Sequence, residues 1–224
     1  MWTEVPGYRS TSPGEKLVPT FLEVANWRIG DTLVDLGCGP GRAGLELSKA
    51  GFNVTLLDIT KHAVDPESRG VLPFIESCLW EPTTLRFDWA YCCDVAEHLP
   101  PEWVESSLDN IANIARRGAF LQIALWPETW GNKIGETLHL TIKPGRWWLD
   151  EIERRWPIAW QETSYDGRLI VLTGEPFMVK KKAVKKSAVS KEPKKIEATK
   201  QVFSKCPVDG CTSTPPCMKH KVAG

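Results

Sequence analysis

The 224-residue chain lacks any apolar run near the ~18 residues of a membrane span. Its opening residues, Met1-Trp2-Thr3-Glu4-Val5-Pro6, have neither a basic stretch nor an apolar one. Together these absences give the expectation of a cytoplasmic protein without a secretory signal. Nor is there an even set of cysteines. Seven are present, and that number argues for reduced thiols or a metal site rather than a disulfide framework. No Gly-Lys-Ser/Thr follows a glycine-rich turn, which excludes a phosphate loop. Net charge is missing too, with 28 Lys+Arg set against 28 Asp+Glu.

That zero is a sum of two unlike parts. Residues 1–178 hold 16 Lys+Arg and 25 Asp+Glu, a net of −9, whereas residues 179–224 hold 12 Lys and 3 acids, a net of +9. All 11 Trp lie in the first part. With 42% hydrophobic residues overall, the first part has the makings of a folded core. Residues 180–200, rich in Lys, Ala, Val, Ser and Glu and without an aromatic, cannot bury enough apolar surface to offset chain entropy. The expected organisation is one folded domain over 1–178, a disordered Lys-rich linker over 179–205 and a short Cys/His tail over 206–224. The linker suits non-specific contact with nucleic-acid phosphates, and equally an anionic surface or the acidic body of its own domain. Cys206, Cys211, Cys217 and His220 supply four ligands in the tail for a tetrahedral zinc knuckle.

Within the folded part the periodicity alternates. Apolar residues at 17, 18, 21, 22 and 25 have helical spacing, and 32–36 reads as a buried strand. A helix over 43–50 ends at Gly51, and strands follow at 53–58, 72–77, 87–93 and 119–125. Pro66 interrupts a weak helix over 61–69, while 102–114 is amphipathic, with Arg116-Arg117-Gly118 as a connector. A helix over 145–156 precedes two strands, 158–163 and 168–173, joined around Asp166-Gly167 as a hairpin. The fold class is α/β: a three-layer Rossmann-like sandwich around a seven-stranded, mostly parallel sheet with a terminal antiparallel hairpin. Ligands of such sheets sit beyond the carboxyl ends of the strands. Gly37 to Gly41, Asp58, residues 77–80 and residues 93–98 all fall at those ends.

Asp35-Leu36-Gly37-Cys38-Gly39-Pro40-Gly41 joins a strand to a helix, and three alternate glycines let a ligand lie against the backbone. Asp58 ends the next strand, where an acid accepts both hydroxyls of a ribose. A dinucleotide fingerprint wants Gly-x-Gly-x-x-Gly, and here the spacing is Gly-x-Gly-x-Gly with an acid two residues earlier. Asp35 would repel a phosphate and favour a ligand carrying an ammonium and a sulfonium.

Val34-Asp35-Leu36-Gly37-Cys38-Gly39-Pro40-Gly41 resembles the first motif of class I S-adenosylmethionine-dependent methyltransferases, and the resemblance extends over roughly residues 8–174. It implies S-adenosylmethionine as cofactor, with Asp35, Gly37, Cys38, Gly39 and Gly41 along it and Asp58 with Ile59 at the ribose. Cys78, Leu79 and Trp80 lie where the family contacts adenine, and Trp80 offers a stacking face. Cys93-Asp94-Val95-Ala96-Glu97-His98-Leu99 is similar to the segment after strand four in small-molecule members, including the ubiquinone-biosynthesis type. The likeness puts Cys93, Asp94 and His98 beside the methionine part, and Arg9 meets the cofactor carboxylate.

Methyl transfer is an in-line displacement, so the protein chiefly has to hold the acceptor atom about 3–3.5 Å from the methyl carbon. A base adds roughly 10²–10⁴-fold when the acceptor is protonated. His98, His139 and Asp94 are the catalytic candidates, with Glu97 beside them. Trp126, Trp130, Trp147 and Trp148 offer either an aromatic wall for a planar acceptor or, for Trp147 and Trp148, ordinary helix-core packing. The Asn/Asp-Pro-Pro-Tyr segment of amino methyltransferases of DNA bases is missing after strand four. Cys92 and Cys93 lack the neighbouring Pro of a cytosine-C5 nucleophile, so they read as small buried hydrophobes. The expected activity is methyl transfer to O or N of a small molecule. The alternatives are a nucleic-acid or protein methyltransferase tethered by the basic tail, or a non-catalytic protein that keeps the cofactor fold.

Overall fold

The computed structural model describes residues 12–174. Arg9, the Lys-rich linker, the tail residues Cys206, Cys211, Cys217 and His220, and the expected boundaries at 178 and 205 lie outside the described residues.

Five helices and seven strands alternate: α1 Pro13–Val24, β1 Thr32–Leu36, α2 Arg42–Ala50, β2 Asn53–Asp58, α3 Pro66–Arg69, β3 Phe74–Glu76, β4 Phe87–Cys93, α4 Pro101–Ile114, β5 Ala115–Ala124, α5 Gly145–Glu153, β6 Ile158–Thr163 and β7 Arg168–Thr173. The strands form one sheet in the order β3-β2-β1-β4-β5-β7-β6. Strands β1 to β5 pair in parallel, while β7 runs antiparallel to both β5 and β6. This is the expected mostly parallel α/β sheet closed by a hairpin.

Period-two alternation sorts the strand residues onto two faces. Leu33, Val54, Leu56, Trp89, Tyr91, Phe120 and Leu172 share one buried cluster with Val18 and Phe21 of α1 and Ala43 and Leu47 of α2. Phe21 is its hub, with ring centroids 5.4–5.7 Å from Phe52, Trp89, Tyr91 and Phe120. Helix α4 packs on β4 and β5 and meets α5, so the sheet lies between helical layers. Both sides of the central strands are therefore dry, which is why β1, β4 and β5 read as near-continuous apolar runs.

Local boundaries differ from expectation: the last helix ends at Glu153 and not at 156, and three further differences have a clear physical origin. Pro66 opens α3 at its first turn instead of interrupting a helix, because the N–H it lacks has no intrahelical partner there. Strand β3 is shorter than expected at Phe74–Glu76. Strand β5 starts directly after α4 and includes Arg116-Arg117-Gly118. Arg117 pairs with Asp31 and lies 5.1 Å over the Trp89 ring. Gly118 passes so close to β7 that a Cβ would stand 2.1 Å from the Thr173 carbonyl oxygen. Tertiary packing therefore turns an apparent connector into strand.

Candidate active site

Strand β1 leads to β2 on one side of the sheet and β4 leads to β5 on the other, so a crevice opens beyond the carboxyl ends of β1 and β4. The glycine turn lies at that point. Gly37, Gly39 and Gly41 have φ of 63°, 52° and 79°, the left-handed region that side chains resist. Space makes the same demand: a Cβ on Gly37 would stand 2.5 Å from Val95 Cγ2, and one on Gly41 2.8 Å from Ser68 Cβ. Cys38 donates its N–H to the Leu57 carbonyl at 3.1 Å. Gly39 donates to the Asp58 carboxylate at 2.9 Å, so the turn is fastened to the end of β2.

Asp58 also accepts the Thr60 N–H at 3.2 Å, and Ile59 between them is half-buried. Burial pushes the Asp58 carboxyl up to about 6, against the pull of those backbone bonds. Asp35 is buried one step further in, and its carboxylate accepts the Gly44 N–H at 3.0 Å, bracing α2 on β1. Burial raises Asp35 to about 7, with the Gly44 bond opposing and the Asp58 charge adding.

Cys78, Leu79 and Trp80 follow β3 and are all buried. Asn110 of α4 donates to the carbonyls of Leu79 and Glu81 at 2.9 and 2.8 Å, which fixes this loop. The Trp80 ring stacks on Trp103 with centroids 5.8 Å apart. The stacking face expected for a base is thus shared with an internal partner. Beside them the Tyr91 hydroxyl donates to the Gly14 carbonyl at 2.5 Å, clamping the start of α1 over β4. Burial pushes the thiols of Cys38, Cys92 and Cys93 upward, which suits buried hydrophobes and not nucleophiles.

Beyond β4 the chain makes a forced turn. Asp94, at φ 62°, is the one non-glycine in the left-handed region among the described residues. Its N–H donates to the Gln122 carbonyl at 3.0 Å. A 3-10 turn, Ala96–His98, follows. Asp94, His98 and His139 come together here, one nitrogen or oxygen from each lying within 4.8 Å of the others. The two imidazoles meet edge to face at 4.7 Å. His139 Nδ1 donates to the Trp126 carbonyl at 2.6 Å, which leaves Nε2 as the nitrogen available to other partners. Thr141 ties this segment back, giving its N–H to the Glu97 carbonyl at 2.9 Å and its hydroxyl to the Leu99 carbonyl at 2.6 Å. Burial holds His98 below the ordinary imidazole range, with Asp94 opposing and His139 adding.

Glu97 is fully buried. Its Oε1 accepts the Ala124 N–H at 2.6 Å and its Oε2 has no partner. Burial and the Asp94 charge push its carboxyl well above the usual range. Two further residues escaped the sequence reading. Glu128 accepts the N–H groups of Gly131 and Leu138 at 2.9 and 3.1 Å and so shapes the loop that carries His139. Gln122, in register with Cys93, is buried with both side-chain polar atoms unpaired. Neither carries a local signal, since both depend on where distant strands and loops meet. Trp126 lies 6.5 Å from His139, with Arg168 over it at 5.3 Å. Trp148 is fully buried and Trp147 packs on it at 4.9 Å, so Trp148 belongs to the core and not to an acceptor wall.

No protein-family model matches the chain, and no curated protein matches it in sequence. Solved structures do. Magnesium protoporphyrin IX methyltransferase (ChlM) of Synechocystis PCC 6803 with bound SAH is 23% identical, with TM-score 0.56, over 75% of this chain and 83% of that one. The 1,6-didemethyltoxoflavin-N1-methyltransferase of Burkholderia thailandensis, bound to 1,6-didemethyltoxoflavin and S-adenosylhomocysteine, is 14% identical at TM-score 0.57, over 79% of this chain and 81% of that one. N-methyltransferase NodS of Bradyrhizobium japonicum WM9 with S-adenosyl-L-homocysteine is 12% identical at TM-score 0.54, over 78% and 90%. The chain has the class I S-adenosylmethionine-dependent methyltransferase fold. Its own residues fit such a cofactor: a cradle too tight for Cβ atoms follows β1, and a carboxylate fastened to that cradle ends β2.

Proposed function

We propose that this protein is an S-adenosylmethionine-dependent methyltransferase whose acceptor is an oxygen or nitrogen of a small molecule. The observation that carries the reading is the fastening of the Gly37–Gly41 turn to Asp58, with the Asp94, His98 and His139 cluster beyond the neighbouring strand. Gly37, Cys38, Gly39 and Gly41 would hold the cofactor's backbone side, and Asp58 with Ile59 its ribose. Cys78, Leu79 and Trp80 would line the base, Cys93, Asp94 and His98 the methionine end, and Arg9 the carboxylate. The cofactor supplies a methyl carbon activated by a sulfonium, which an acceptor lone pair takes as the carbon–sulfur bond breaks.

The chain's own task is to align the acceptor and remove its proton. Asp94, His98 and His139 would take that proton, and the bond from His139 Nδ1 to the Trp126 carbonyl leaves Nε2 as the ring nitrogen for that role. Base assistance is worth about 10²–10⁴-fold. Support for a small acceptor comes from two fold neighbours named for porphyrin and toxoflavin substrates. A second reading, a macromolecular acceptor tethered by the Lys-rich tail, is favoured by the opposed charges of −9 and +9. Transfer of radiolabelled methyl from the cofactor into fractionated lysate separates the two. Label in the small-molecule fraction supports the proposal. Label confined to nucleic acid or protein, and lost when residues 179–224 are removed, overturns it.

A further inference from the structure

We infer that Asp94, His98 and His139 form a binding site for a divalent transition-metal cation. The ligand atoms are already gathered within 4.8 Å of one another. A cation bonded at about 2.1 Å to three ligands holds them about 3–3.6 Å apart, so side-chain movements of about an ångström close the set. The tautomer is also set for coordination. The Trp126 carbonyl holds the Nδ1 proton of His139. That bond leaves Nε2 of His139 as its coordinating atom, the arrangement that outer-shell carbonyls impose on metal-ligating histidines.

A buried acid with an unsatisfied oxygen lies beside the cluster. Glu97, three residues after Asp94, is fully buried, and its Oε2 accepts no hydrogen bond. An orphaned carboxylate oxygen beside a second carboxylate is costly unless a proton or cation joins them. Asp94 is held at φ 62° by the bond from its own N–H to the Gln122 carbonyl, a strained conformation kept at the one place where it meets both imidazoles. Two imidazoles with one carboxylate suit Mn²⁺, Fe²⁺, Co²⁺ or Zn²⁺ better than Mg²⁺ or Ca²⁺, which prefer oxygen throughout.

The site's existence stands on these residues alone, whereas its role rests on the methyl-transfer reading above. In that role the cation takes the place of His139 as the acid-base element: it binds the acceptor's hydroxyl oxygen and favours loss of its proton to water, leaving the oxygen lone pair free for the methyl carbon. The acceptor class thereby narrows to hydroxyl compounds.

The test uses Mn²⁺ with the full-length chain, stripped by chelator and titrated while free Mn²⁺ is read by electron paramagnetic resonance. One Mn²⁺ per chain is expected, bound at least about tenfold more weakly by Asp94→Asn and His139→Gln. A Cys206→Ser/Cys217→Ser variant should bind as the parent does, which separates this site from the tail. Asparagine tolerates the left-handed conformation of residue 94, so Asp94→Asn keeps the test informative should His139→Gln fail to fold. Failure to bind Mn²⁺, equal binding by the parent and both site variants, or loss in the tail variant overturns the proposal. A cofactor titration on the same samples keeps the readings apart. Cofactor bound without Mn²⁺ removes the cation site alone, and site-dependent Mn²⁺ without cofactor keeps it while removing the methyltransferase reading.

Discussion

The Asp58 carboxylate accepts the backbone N–H of Gly39 at 2.9 Å and thereby fastens the end of one strand to the glycine turn after its neighbour. One group serves two purposes: it stiffens the cradle and presents an acid to whatever lies in the cradle. Replacing it with Ala should weaken S-adenosylmethionine binding by about tenfold or more, since hydrogen bonds to a charged group are worth roughly 1.5–3 kcal/mol each. Isothermal titration of parent and variant measures this.

The protonation of Asp58 gives the same site a pH dependence. Burial raises its carboxyl to about 6, and on the proposed reading the form that would accept a ribose is the carboxylate. Cofactor affinity should therefore be full above pH 7 and decline as pH falls through about 6. Asp58→Asn should bind weakly with that step removed, as titrations between pH 5 and 8 would show.

Asp35 affects stability with a definite sign. Its folded value, about 7, lies above the ordinary 3.8 because of burial. The folded chain thus holds a proton between about pH 4 and 7 that the unfolded chain releases. Asp35's contribution favours folding at lower pH and is lost as pH rises through 7. Asp35→Asn should melt with a smaller difference between pH 5.5 and pH 8 than the parent, as measured by thermal circular dichroism.

Gly37 and Val95 should be coupled. Gly37→Ala adds left-handed strain of roughly 1–2 kcal/mol to a Cβ contact at 2.5 Å. Val95→Ala in the same chain relieves the contact but not the strain, so the double variant should regain part of the lost stability. A four-way denaturant cycle reads the coupling.

Gln122→Met should stabilise the free protein by about 1 kcal/mol, because a buried amide with no partner is replaced by an apolar chain of similar length. A higher unfolding midpoint in urea is the expected result.

Much of the fold is legible in the sequence because its signals are local. Strands β1, β2, β4, β6 and β7 follow from buried or alternating runs bounded by Gly, Pro and Asp, and the Gly37–Gly41 turn fixes where a ligand lies. Beyond that, long-range contacts decide. Arg116-Arg117-Gly118 resembles a connector until Asp31, Trp89 and Thr173 are placed around it. His98 and His139 are recognisable as candidates one at a time. Their meeting, and the carbonyl partner that sets the His139 tautomer, depends on a loop shaped by Glu128 and anchored by Thr141. Glu97 stands out in sequence as an acid beside a histidine, yet only its burial at the end of β5 shows that one of its oxygens lacks a partner.

The most direct test of the central claim is calorimetric titration of S-adenosylmethionine into the full-length chain alongside Asp58→Ala. Saturable one-to-one binding by the parent, weakened about tenfold or more in the variant, is the expected result. No binding by the folded parent, or equal binding by both proteins, would contradict it.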